Sequence, residues 1–332
     1  MKKILFSMIA VAAMTSCSQS EDAIEAVPVA PTPIAFAPQM GNTVATRADI
    51  ALANTVSLGV FAFNGTPTAT IYDGIEDMRL RYVTASSGWF LNPAEHYYPA
   101  DGTEVDFWAY GPKGNTHLSG IDCDAANGPT FTLTLGSTDI GPTAVDIFST
   151  QTKATGKLST ASTAVAFTLK HLLAQVKFEA KTNNQASADN YDVKIYDIAI
   201  ETKAEAVYAN KVWETPSGSV VTWRPVDEDD TQAILTATAA SVGELVSLIP
   251  GQETTITVKA RVYKKNQSFM VTEQVVSITL DNTSGKEYLE PGKSYTYAIT
   301  VEPKVGRITF DAPQITDWTP ATGDIAVPQP AP

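Results

Sequence analysis

Apolar and polar residues alternate along this chain in short runs, and turn residues end nearly every run. Thr130 to Leu135, TFTLTL, alternates cleanly, and so does Glu104 to Tyr110, EVDFWAY, which stops at Gly111-Pro112. A period of two predicts strands with one face buried. Ser57 to Phe63 is a nearly continuous apolar run ending at Asn64-Gly65, and Leu80–Val83 and Trp89–Leu91 flank the turn-like TASSG. Further strands are expected at Val145–Ser149, over one or two long stretches within Ala164–Ala180, and at Val193–Ile200 and Val220–Trp223. The last four fall at Thr255–Tyr263, Val271–Leu280, Ser294–Val301 and Arg307–Phe310. No helical period is sustained, and Ser241–Ile249 predicts a single helical turn at most. Strands at this density predict an all-β chain of β-sandwiches. Thr150 to Ser162, TQTKATGKLSTAS, is rich in small polar residues and reads as a connection between domains. It places an N-terminal sandwich at residues 48–160 and a C-terminal one at 161–320, with a proline-rich segment at 321–332.

The first 16 residues carry Lys2 and Lys3 ahead of an apolar stretch, Ile4 to Met14, too short to span a membrane permanently. This pattern is a secretory signal. It ends in MTSC, which resembles a bacterial lipobox and makes Cys17 the candidate lipidated residue. Residues 17–47 then read as a tether whose prolines deny it regular structure, apart from one strand-like stretch, Ile34-Ala35-Phe36-Ala37.

With 44% hydrophobic residues, the 332-residue chain has enough apolar material for packed cores. Its formal charge of −13 excludes nucleic acid and anionic membrane surfaces as electrostatic partners. Two cysteines rule out a disulfide scaffold; Cys123 falls in a polar run that reads as a loop. The three histidines, His96, His117 and His171, have no ligand-type spacing, and His171 in an apolar strand reads as structural. The sequence contains no phosphate loop, nucleophile elbow or zinc motif, so no catalytic residue, metal or cofactor is assigned. Asp227–Asp230, DEDD, lacks EF-hand spacing and reads as a solvated loop.

Several phrases then line up in order. Glu95–Pro112, EHYYPADGTEVDFWAYGP, resembles a signature of the fimbrillin family of Bacteroidales. Thr143–Thr150, Leu169–Ala180, the Pro-Gly turns within Leu248–Tyr263 and Leu289–Val301, and the closing Ile315–Trp318 are similar to later phrases of that family. The resemblance implies two tandem transthyretin-like β-sandwich domains and a non-enzymatic subunit of a surface pilus. It implies export as an outer-membrane lipoprotein, and a maturation protease that cuts between Arg47 and Ala48. Loss of the N-terminal strand then opens a groove for a strand from another subunit. Ile34 and Phe36 would fill the groove first. Ile308 and Phe310, or Ile315 and Trp318, are the candidate donor residues, because Ile308–Gln314 echoes Ile34–Gln39. The same C-terminal segment also reads as the last strand of its own sandwich. The alternative function is a permanently anchored surface lipoprotein that binds a glycan or host protein through loop aromatics such as Trp89, Tyr97, Tyr98 and Trp108, residues that core packing would also use.

Overall fold

The computed structural model describes residues 33–41, 50–51, 56–65, 70–93, 96–136, 146–156, 163–227, 233–281 and 288–318. The chain runs through β1 (Phe36–Met40), β2 (Ile50–Ala51), β3 (Leu58–Asn64), β4 (Met78–Val83), β5 (Gly88–Asn92) and β6 (Val105–Gly111). A hairpin of β7 (Leu118–Asp124) and β8 (Gly128–Thr134) follows, then β9 (Phe148–Ala154), β10 (Val165–His171) and β11 (Ala174–Thr182). After a short helix, α1 (Gln185–Asn190), come β12 (Tyr191–Ala209), β13 (Val212–Trp213), β14 (Ser217–Val226) and β15 (Ala240–Leu248). The last strands are β16 (Thr254–Lys264), β17 (Met270–Leu280), β18 (Lys293–Glu302), β19 (Arg307–Phe310) and β20 (Gln314–Asp317).

The first sheet has the order β10-β9-β6-β3-β4-β5-β1-β2, and β1 also pairs with β10. Apart from β2, its strands therefore form a ring that β1 closes. Leu58, Val60, Phe107, Ala109, Val165, Phe167 and Leu169 fill its interior. The second half holds a five-stranded sheet, β15-β11-β18-β19 with β20 also on β18, and a seven-stranded one, β17-β16-β12-β8-β7 with β13 and β14 on β12. Their shared core includes Val176, Phe178, Ile198, Ile256, Val258, Tyr297 and Ile299.

The continuous apolar runs have a simple cause. In β3 and β6 both faces are buried, so strict alternation is lost. Val60 and Phe107 point into the ring, whereas Phe61, Phe63, Trp108 and Tyr110 pack outward on the second core with Phe131. The DFWAY phrase thus joins the two cores.

A division at 160/161 does not follow the sheets. β10 returns to the first sheet, and the β7–β8 hairpin joins the seven-stranded sheet by pairing β8 with β12. The small polar run begins within β9, which with β10 makes an antiparallel pair, Ser149 opposite Lys170 and Phe148 opposite His171. The passage from first to second sheet comes at Leu172–Leu173, between β10 and β11, where both residues are buried and composition gives no sign of a boundary. Ser241–Ile249 is mostly strand β15 rather than a helical turn, with Gly243 at φ +71° turning the backbone beside Pro225. The one described α-helix is α1, capped by the Asn184 side chain accepting from Ser187 N–H at 2.9 Å.

Candidate functional site

β1 is a short strand with a regular alternation. Ile34, Phe36, Pro38 and Met40 are buried, and Ala37 between them is exposed. Five residue pairs bind it parallel to β10, from Phe36 opposite Val165 to Met40 opposite Leu169. On its other edge it meets β5 only at Phe36–Trp89 and β2 at Gln39–Ala51 and Met40–Ile50. Ile34 N–H donates to the His96 carbonyl at 2.8 Å, and Gly41 N–H to the Leu169 carbonyl at 2.8 Å. The Phe36 ring stands edge-on to Phe107 at 5.6 Å and stacks on Phe167 at 5.5 Å. Apolar contact and a row of backbone hydrogen bonds are the two forces by which sheets accept an added strand. Pro38 cannot donate to this ladder, which suits a strand paired fully on one side only.

At the opposite end of the chain, β19 and β20 lie end to end along one edge of β18. Arg307–Phe310 pairs with Ile299–Glu302, and Gln314–Asp317 pairs with Lys293–Thr296. Ile308 is buried, Phe310 is half-buried edge-on to Tyr297 at 6.4 Å, and Ile315 is 55% exposed. Trp318 is buried. Its ring stacks flat on His171 with centroids 4.4 Å apart, and the Trp318 backbone N–H donates to the Gly292 carbonyl at 2.8 Å. His171 Nδ1 in turn lies 2.8 Å from the Asp146 carboxylate, and both side chains are buried. Lys293 binds Asp317 at 2.7 Å, and that hydrogen bond holds its ammonium above the usual lysine range. In the structure the C-terminal segment therefore makes the edge strand of its own sheet, one of the two uses its sequence allows.

Of the aromatics offered for loop recognition, Trp89, Tyr98 and Trp108 are buried and Tyr97 is half-buried. They are packing residues. Cys17, Arg47 and Ala48 lie outside the described residues, as does most of the DEDD run. Met40 pairs with Ile50, which makes Arg47 part of the connection between β1 and β2. Among the described residues no three His, Cys, Asp or Glu side chains cluster as a metal site would require, and no helix is long and apolar enough to cross a membrane.

The described carboxylates that are buried are held by polar partners, Asp106 by Gln151, Asp146 by His171 and Asp192 by Lys265. Asp197 is fully buried and bound by Arg224 and by Lys259, at 2.9 Å for the lysine. His96 pairs with Asp73 at 3.0 Å. Cys123 sits in strand β7 rather than a loop, because it faces its hairpin partner Pro129. Burial first, then Asp122, Asp124 and Asp106, push its thiol well above the ordinary cysteine range. At pH 8 a thiol reagent is accordingly expected to label Cys123 at least about tenfold more slowly in the folded protein than in urea. Equal rates would show that the thiol is not shielded.

The model of the family described as "Fimbrillin-like" matches residues 46–318. The chain belongs to the fimbrillin-like family. Among solved structures, this fimbrillin-like chain is similar to a fimbrial protein from Bacteroides vulgatus ATCC 8482, with a TM-score of 0.56 at 15% identity over 86% of this chain and 99% of that one. It also resembles two proteins named for cell adhesion. The one from Bacteroides uniformis ATCC 8492 has a TM-score of 0.52 at 18% identity, over 86% of this chain and 99% of that chain. The one from Bacteroides ovatus ATCC 8483 has a TM-score of 0.52 at 16% identity, over 88% and 99%. At these identities the likeness is one of fold. No curated protein sequence matches the chain. The fimbrillin-like match begins six residues after β1 ends and stops at Trp318, so β1 lies outside it.

Proposed function

We propose that this fimbrillin-like protein is a structural, non-enzymatic subunit of a surface pilus, and that β1 is a temporary occupant of its slot. The precursor is lipidated at Cys17 and delivered to the outer membrane. A protease then cuts after Arg47, Ala48 becomes the new N-terminus, and β1 leaves. A strand from another subunit replaces it. Such donation is head to tail and does not close on itself, so it builds a fibre.

The observation that carries this reading is the ring closure by β1. Its removal would leave β10 with an unpaired edge beside the apolar wall of Phe107 and Phe167, a template for strand addition. Because Arg47 lies in the connection to β2, one cut there separates β1 from the rest of the fold. β1 also lies outside the region that matches the family, which suits a segment that the mature subunit lacks.

The donor is the finer question. Donation by Ile308–Trp318 would strip the edge from β18 and unstack Trp318 from His171. The chain beyond Trp318 offers a cheaper donor. Ile325-Ala326-Val327-Pro328-Gln329 repeats Ile34-Ala35-Phe36-Ala37-Pro38-Gln39 with one residue fewer. In this reading Ile325 and Val327 take the places of Ile34 and Phe36, and β19 and β20 stay in their sheet.

Arg47→Ala tests the scheme in cells that display the protein. The expected product is full-length lipidated monomer at the surface with no polymer on a non-reducing gel. Polymers assembled from the uncut variant would sink the proposal.

A further inference from the structure

A cleft of about 550 Å³ opens between the β9–β10 side of the ring and the second half of the chain. Three features set it apart from the packing around it. Its walls carry three lysines, Lys170, Lys211 and Lys293, against one carboxylate, Asp317, in a chain whose formal charge is −13. Asp317 is taken by Lys293. Lys170 and Lys211 have no carboxylate at ion-pair distance among the described residues. Lys211 Nζ also donates to Gln151 Oε1 at 3.5 Å and is felt by Asp106, but neither ammonium is held in an ion pair among the described residues, and two such groups at a concave surface concentrate a positive field there.

The second feature is an aromatic floor, since Trp108, Tyr208 and Trp318 border the cleft as nearly buried rings, 2%, 6% and 8% exposed. Lys211 Nζ lies 4.8 Å from the centre of the Trp108 ring, so a cation and an aromatic already share one wall. The third is unused hydrogen-bonding capacity. Thr150 and Thr168 line the cleft, and their hydroxyls bond to no other described residue. His171 also lines it and is only 5% exposed. Its Nδ1 faces a carboxylate, which accepts only, so Nδ1 carries a hydrogen. Its Nε2 is buried with no hydrogen-bond partner. A buried polar atom left unpaired is unfavourable and is normally matched by something.

We infer that this cleft binds a carboxylate-bearing saccharide. The carboxylate pairs with Lys170 and Lys211, the sugar's C–H faces lie along the exposed aliphatic stems of these lysines, and its hydroxyls meet Thr150 and Thr168. Both lysine side chains are exposed, so they can close on a ligand without disturbing the core. A volume of this size suits one or two sugar rings. The inference needs no assembly and holds for the unprocessed chain.

The test is a titration of the full-length protein, followed by tryptophan fluorescence and by NMR. The probes are N-acetylneuraminic acid and glucuronic acid, their neutral counterparts N-acetylmannosamine and glucose, and acetate. Binding is expected for at least one acidic sugar, weakened by salt, with the neutral sugars inert. The double variant Lys170→Glu, Lys211→Glu should weaken binding by about tenfold or more, since each charge-assisted contact is worth about that factor, with an unchanged melting temperature. Four results would each overturn the inference. One is no acidic sugar bound up to about 10 mM, a concentration at which even weak sites fill. The others are neutral sugars bound equally well, acetate competing as strongly as the sugars, and double-variant affinity unchanged.

Discussion

Replacing both Ile34 and Phe36 with serine is expected to lower the stability of the full-length chain by at least about 5 kcal/mol, because each buried side chain of this size is worth several kcal/mol when truncated. Both residues are about 3% exposed, and Phe36 contacts Phe107 and Phe167 at the centre of the ring. Serine removes those contacts and buries a hydroxyl in an apolar site, which adds to the loss. A domain's whole stability is only about 5–15 kcal/mol, so the first sheet should melt separately or not fold at all. Ala37→Ser is the control. Ala37 is exposed on the same strand, and its substitution should change stability by less than about 0.5 kcal/mol. Urea unfolding followed at the ring tryptophan Trp89 distinguishes the two. If the double variant unfolds with the wild-type midpoint, β1 is not a core strand and its loss could not open a groove.

The next largest effect is expected at the C-terminal edge. Ending the chain at Val305 removes β19, β20 and Trp318 together. It exposes one edge of β18 and uncovers Tyr297, and it leaves the buried His171–Asp146 pair without its stacked ring. Ile308 and Trp318 alone account for about 1.5–3 kcal/mol each of burial. The second half should therefore lose its cooperative thermal transition. Ending the chain at Trp318 instead keeps every described strand and removes only 319–332, and should leave that transition in place while polymer disappears. Polymer that persists after the shorter deletion would refute donation by Ile325–Gln329. A second half that stays cooperative without residues 306–318 would return the donor role to Ile308 and Trp318.

The local strands were legible wherever one face is buried. TFTLTL became β8, and Thr255–Tyr263 became the centre of β16 with its alternating burial. Ser57–Phe63 was legible as a strand, but its continuous apolar run gave no hint that its two faces serve two cores. What failed was long-range assignment. The polar run from Thr150 looked like a boundary because composition is local, whereas the ring is closed by β1 and β10, more than a hundred residues apart. Ile34 and Phe36 were visible as an alternating pair, and both are buried inside the ring. His171 was legible as buried, but its partner Asp146 lies 25 residues earlier and could not be paired with it from spacing. Trp318 was grouped with the donor residues through the echo between the termini, while its stacking on His171 had no sequence signal. The cleft was equally hidden, since Lys170, Lys211 and Trp318 come together only through the sheet topology.

Assembly by strand replacement requires that β1 leave the protein. Intact mass and N-terminal sequencing of the polymer stripped from native cells test this most directly. The prediction is a chain that begins at Ala48, carries no lipid and lacks Ile34 and Phe36. A polymer whose subunits begin at a lipidated Cys17 and still contain β1 would contradict it.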